Sequence, residues 1–221
     1  MNRQDSTAKQ VAFLFDLDGV LIDSEREYTK IWERIDELFP TSVSSFAIKI
    51  KGMSLTEILC QYYPEKNIAD KVRSTLTELE SKMHYEWLPG AKELLEYLNN
   101  HSIPTALFTS SNKKKMEHLR EELPEVENFF NEIVTGDMVT HSKPDPEGYI
   151  LAAELLNTSP RNCVVFEDSL QGVKAGRAAD AYVIGVEGTL KRDIIAPYSN
   201  KVINNLSEIN PADLIEILKN R

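Results

Sequence analysis

Basic charge is scarce in this chain: 25 lysines and arginines stand against 35 aspartates and glutamates, a formal net charge of −10. A general nucleic-acid binder needs a basic face for the phosphate backbone, so that class is set aside. Cysteine is scarcer still. Cys60 and Cys163 lie far apart without metal-type spacing, which points to a reducing compartment and no disulfide framework. No apolar run approaches the roughly 20 residues of a membrane-spanning helix. The opening MNRQDSTAKQ has no apolar stretch of the secretory kind. The expectation is a cytoplasmic monomer with neither membrane nor nucleic-acid partners. The acidic mean field also means that an anionic substrate must be held by local cations or a metal ion.

What is present is ordinary core-forming material, 42% hydrophobic in 221 residues, enough for a core domain with a modest insertion. Short runs that are apolar on both faces recur at residues 11–17, 103–109 (IPTALFT), 162–168 (NCVVFED) and 181–187 (AYVIGVE); such runs fit buried parallel strands. A weaker strand is expected at NEIVTG. Between them GAKELLEYLNNH places Leu94, Leu95 and Leu98 on one helical stripe, and PEGYILAAELL does so with Ile150, Leu151, Leu155 and Leu156. SLQGVKAGRAAD opens on Ser169, a helix cap, and carries small residues for close helix–sheet packing. PADLIEILKN reads as a closing helix. Alternation of this kind predicts a doubly wound, Rossmann-like α/β parallel sheet.

Residues 24–87 differ. EREYTKIWERIDELF and KVRSTLTELESKMHYEWL read as amphipathic helices, FPTSVSS and YYPEKN as breaks. The segment is expected to be a helical bundle inserted after the first strand, with 1–23 and 88–221 forming the sheet domain. Pro89 and Gly90 mark the return.

The first apolar run ends on Asp16-Leu17-Asp18-Gly19, and a carboxylate at the edge of a core is costly unless something pairs with it or binds it. In open α/β sheets ligands bind beyond the carboxyl ends of the strands. There this sequence places Asp16 and Asp18, then Thr109-Ser110-Ser111, then Glu167-Asp168, with Lys143 in the loop HSKPDP. Acidic groups, hydroxyls and an ammonium on one rim suit a hard divalent cation beside an anion, and magnesium with a phosphate is the simplest such pair. Each piece alone is weak. Asp-x-Asp-Gly occurs in solvated turns, TSSN could cap a helix, and Val20 stands where a calcium loop needs its third ligand. Their joint order carries the weight.

The stretches FDLDGVLIDSE, ALFTSS, SKPDPEGY and VFEDSLQGVKAG resemble, in order, the signature motifs of the haloacid dehalogenase superfamily. The branch resembled has a helical cap inserted after the first motif and contains beta-phosphoglucomutases and sugar- or polyol-phosphate phosphatases. The resemblance implies that Asp16 is a nucleophile forming an aspartyl-phosphate and Asp18 a general acid/base. It implies phosphate contacts from Thr109, Ser110, Ser111, Asn112 and Lys143. It also implies magnesium held by Asp168, an oxygen of Asp16, the backbone carbonyl of Asp18, and Glu167 directly or through water. Asp18 argues against a dehalogenase, and against phosphonate hydrolases, which carry a small residue there and a cap lysine that Lys51 could mimic.

The resembled mutases carry an arginine where this chain has Leu55, a histidine at the position of Tyr28, and Lys-Asn where Asn112-Lys113 stand. A phosphatase for a small phosphorylated metabolite is therefore the first reading, a phosphosugar mutase the second, and a non-catalytic binding protein a distant third. Arg26, Tyr28, Lys51 and Met53 are candidates for contacts to the leaving group. The run Lys113-Lys114-Lys115 reads as a solvated helix face.

Overall fold

A computed structural model describes residues 10–50, 53, 55–111, 113–188 and 190–221. Lys51 and Asn112 lie outside the described residues. Two compact units emerge, one running to Asp23 and resuming over Glu86–Arg221, the other Ser24–Tyr85.

In chain order the elements are β1 (Ala12–Phe15), α1 (Ser24–Leu38), α2 (Phe46–Lys49), α3 (Leu55–Tyr62), α4 (Lys66–Glu80), α5 (Ala91–Asn100), β2 (Thr105–Phe108), α6 (Lys113–Glu122), β3 (Glu132–Val134), α7 (Glu147–Leu155), β4 (Cys163–Glu167), α8 (Leu170–Ala178), β5 (Tyr182–Val186), α9 (Arg192–Ile195), β6 (Lys201–Ile203) and α10 (Pro211–Lys219). The strands form one sheet in the order β3-β2-β1-β4-β5-β6, every neighbouring pair parallel. The architecture is the expected doubly wound α/β fold with a helical insertion. β1 is central, and the order reverses between β1 and β4, the switch point where such sheets bind ligands.

Both faces of the central strands are covered, which is why their sequences are unbroken apolar runs. On one face Ala12, Leu14, Phe108, Val165 and Val183 pack with Tyr149, Ala152 and Ala153 of α7 and Val173 of α8. On the other, Phe15 stacks on Phe166 with ring centroids 4.8 Å apart. The small residues of α8 set its approach to the sheet. A Cβ at Gly176 would meet Val165 and Val183 methyls at 3.0 Å. Ser169 caps α8 by accepting from the Gly172 N–H at 2.9 Å, as its residue type predicts.

Three expectations need correction. Of the stripe expected on α7, Leu156 is buried and Ile150 and Leu151 pack against the core, but Leu155 is 37% exposed, and Tyr149, Ala152 and Ala153 join the buried face. The second helix of the insertion starts earlier and stops earlier than KVRSTLTELESKMHYEWL implies, at Lys66 and Glu80. Trp87 instead bridges Ile22 in antiparallel fashion, so the chain leaves the sheet unit and returns to it at adjacent points. The third correction is β6, an edge strand of Lys201, Val202 and Ile203 that no apolar run announced.

Within the insertion, Ile31, Trp32 and Ile35 form the buried face of α1, with Val72 and Leu76 that of α4. Phe46 is the hub, edge-on to Trp32 at 6.0 Å and to Tyr62 at 5.1 Å. Among the described residues no helix is long and apolar enough to cross a membrane.

Candidate active site

Asp16 directly follows β1, and its N–H bonds to the Phe166 carbonyl of β4 at 3.0 Å. Its carboxyl group is thus delivered to the rim by two strands. After Leu17 the chain turns sharply, with Gly19 donating to the Ile22 carbonyl at 3.0 Å. Gly19 has φ 76°, the left-handed region in which glycine is the residue without steric cost. The turn puts Asp18 at the edge of the site with its side chain 31% exposed, while Asp16 is buried.

Lys143 joins the carboxylates. Its Nζ lies 2.5 Å from Asp16 Oδ1 and 2.5 Å from Glu167 Oε1, with the Phe108 carbonyl at 3.4 Å. The rings of Phe108 and Tyr149 flank the ammonium at 4.7 and 5.3 Å. Glu167 is fully buried and fully engaged: Tyr149 donates its hydroxyl to Oε1 at 2.7 Å and Ser169 its hydroxyl to Oε2 at 3.1 Å. Asp168, also buried, completes a cluster with Asp16 and Glu167 whose ligand oxygens lie within 4.8 Å of one another.

Three carboxylates buried together where water is excluded are costly unless something pairs with or binds them, and Lys143 is bonded to two of them. Burial is the largest influence on Asp16 and raises its pKa; Lys143 opposes this, Glu167 and Asp18 add to it, and the net value is about 7. For Lys143 burial alone would favour the neutral amine, but Asp16 and Glu167 outweigh it and hold its pKa above the ordinary lysine value. The oxygen-only donor set of three buried carboxylates fits a hard divalent cation.

The hydroxyl-bearing loop after β2 closes the site on its other side. Thr109 is buried; its N–H bonds to the Val134 carbonyl at 3.0 Å and its Oγ1 accepts from the Ser111 N–H at 3.0 Å. Ser111 donates its hydroxyl to Asp18 Oδ2 at 3.2 Å, whereas Ser110 is exposed. The structure therefore brings together Asp16, Glu167, Asp168 and Lys143, and joins Ser111 to Asp18. Lys115, expected on a solvated helix face, is instead half-buried with its Nζ 2.7 Å from Asp18 Oδ1. Nothing in three consecutive lysines says which one turns inward.

A second cluster, His141, Asp145 and Glu147, serves its own loop. Glu147 accepts from the backbone N–H groups of Thr140 and His141 at 2.7 and 2.8 Å. The helical unit has a cavity of about 280 Å³ whose walls include Tyr28, Met53, Leu55 and Glu80. There Tyr28 donates its hydroxyl to Glu80 at 3.1 Å. Arg26 is exposed.

A parallel six-stranded sheet with acidic groups and a lysine at its switch point, interrupted after β1 by a helical insertion, defines a class of hydrolase. Residues 13–186 match the family described as haloacid dehalogenase-like hydrolase, and the chain belongs to it, in the branch of beta-phosphoglucomutases and sugar phosphatases. It is 38% identical over 185 residues to hexitol phosphatase A of Escherichia coli, covering 79% of this chain and 82% of that one. A phosphorylated carbohydrates phosphatase of Thermotoga maritima is 35% identical over 176 residues, 76% of this chain and 81% of the relative. The crystal structure of a candidate beta-phosphoglucomutase from Thermotoga maritima superposes with a TM-score of 0.72 at 29% identity, covering 95% of this chain and 99% of that one.

Proposed function

We propose that this chain is a magnesium-dependent phosphatase that hydrolyses a small phosphomonoester of a sugar or polyol through an aspartyl-phosphate. The observation that carries the reading is Lys143 bonded to both Asp16 and Glu167, with Asp168 closing an oxygen cluster within 4.8 Å. The two relatives named as phosphatases of hexitols and phosphorylated carbohydrates support the substrate class.

Asp16, Asp168 and the Asp18 backbone carbonyl would hold the cation, with Glu167 directly or through a metal-bound water. When bound, the magnesium ion supplies positive charge that lowers the repulsion between a carboxylate and a phosphate dianion. An Asp16 oxygen attacks phosphorus as the bond to the ester oxygen breaks, and Asp18 gives that oxygen its proton. Asp18 then takes a proton from water, the water oxygen attacks phosphorus, and phosphate leaves with Asp16 restored. Lys143 and the Thr109 hydroxyl face the charge that develops on the transferring oxygens, with Ser110, Ser111 and Asn112 in the same loop.

The test is a panel of sugar and polyol phosphates, with and without EDTA, on the native chain and on Asp16→Ala. Turnover that needs magnesium and disappears in the variant is expected, since loss of a nucleophile costs about 10⁶-fold in other hydrolases. Metal-independent turnover sinks the reading. The likeness to a candidate beta-phosphoglucomutase favours a mutase as the second reading. Offering beta-glucose 1-phosphate with a trace of the 1,6-bisphosphate separates the two. Glucose 6-phosphate formed faster than free phosphate would select the mutase. Leu55 and Tyr28, in place of the mutases' arginine and histidine, argue for hydrolysis.

A further inference from the structure

The two aspartates of the Asp16-Leu17-Asp18 turn each carry their own lysine. Lys143 serves Asp16. Asp18 is gripped through both oxygens by Lys115, whose Nζ lies 2.7 Å from Oδ1 and 2.8 Å from Oδ2. Lys113 and Lys114 are exposed, while the Lys115 side chain keeps 18% of its exposure.

We propose that Lys115 is a positioning residue that holds the Asp18 carboxyl group in place for proton transfer. The inference rests on the phosphatase reading above. Asp16 is fixed by burial and by the strand pairing beneath it, but Asp18 stands beyond the strand on a turn and is 31% exposed. Its orientation must come from its partners. Lys115 supplies two contacts and Ser111 a third, at 3.2 Å.

Ser111 stands on a loop that is itself tied down. The Ser111 N–H bonds to Thr109 Oγ1 at 3.0 Å, and the Ser111 carbonyl accepts from Gly136 at 3.0 Å. Lys115 is the third residue of α6, which follows that loop. One segment thus sets the Thr109 hydroxyl and the Asp18 carboxyl together. A partly exposed ion pair adds modestly to stability, whereas misplacing a reacting group by about 1 Å can cost ~100-fold in rate. Position is therefore what this pair supplies.

The experiment compares Lys115→Met with the native chain on two substrates. One is an alkyl phosphate from the sugar and polyol panel, whose leaving oxygen needs a proton. The other is p-nitrophenyl phosphate, whose leaving group departs as a stable anion. General acid catalysis contributes about 10²–10⁴-fold, so kcat/KM on the alkyl phosphate should fall roughly 10- to 100-fold and on the aryl phosphate several-fold less. Lys115→Arg should recover most of the loss. In an Asp18→Asn background, Lys115→Met should bring no further loss, because residues that act as one unit are not additive. Lys115→Gln repeats the comparison if the methionine variant does not fold.

An equal loss on both substrates, a faster variant, or further loss without the Asp18 carboxylate would overturn the proposal. A native chain inert toward both substrates would instead remove the phosphatase reading, and this inference with it.

Discussion

Gly172 lies flat against the buried carboxylate of Glu167: a Cβ at position 172 would fall 1.8 Å from Glu167 Cδ. The first turn of α8 and the end of β4 therefore approach as closely as they do because position 172 has no side chain. Gly172→Ala would have to push Glu167 off Tyr149 and Lys143. Overpacking of a core costs about 1–3 kcal/mol, and an equilibrium denaturation curve should show a loss at the upper end, with phosphatase activity falling alongside. A variant with the native midpoint and native turnover would mean that Glu167 has room to retreat.

The raised pKa of Asp16 gives a second expectation. Without a cation the folded chain holds this proton to pH about 7, whereas the ordinary value is 3.8. Between those values the folded state binds more protons than the unfolded one, so this group's contribution to stability is complete below about pH 3.8 and is lost as the pH rises to about 7. Magnesium competes with the same proton. The rise in Tm on adding magnesium should therefore be larger at pH 8 than at pH 5.5. Asp16→Asn should flatten that difference. An equal rise at both pH values would disconnect Asp16 from the cation.

Cys163 tests the core independently of any chemistry at the rim. Burial pushes its thiol up to about 12, and its Sγ donates to the Ser159 carbonyl at 3.4 Å. Cys60 is exposed. A thiol reagent at pH 8 should titrate one cysteine in the native chain and two in denaturant, since the thiolate is the reacting form. Two fast-reacting thiols under native conditions would contradict the packing around β4.

The parts of this fold that were legible in the sequence are those in which one residue type serves one purpose. VAFLF, TALF and CVVFE are buried on both faces, so nothing interrupts them. β6 was not legible because Lys201 is exposed and Val202 only partly covered at the sheet edge, where pairing is made by backbone. On α7 only Leu155 was misplaced; Tyr149, Ala152 and Ala153 were missed because a tyrosine and two alanines do not stand out as an aliphatic stripe. A Cβ at Gly148 would fall 2.0 Å from the Phe108 ring, so the helix approaches β2 closely there, with the bulk supplied by Tyr149 beside it. Tyr149 showed as part of a motif, yet its bond to Glu167 depends on a helix turn placed by packing. Lys115 had no local signal at all, because its partner Asp18 lies on a different strand end.

The pairing of β1 bears on how the chain is made. Ala12 pairs with Cys163 on one side and Phe13 with Thr105 on the other, so the strand synthesised first must wait for both neighbours. Lys143, Glu167 and Asp168 emerge later still than β2. A nascent or truncated polypeptide lacking β4 has Asp16 without its buried partners. The buried cluster around Asp16 is thus complete only when the sheet is.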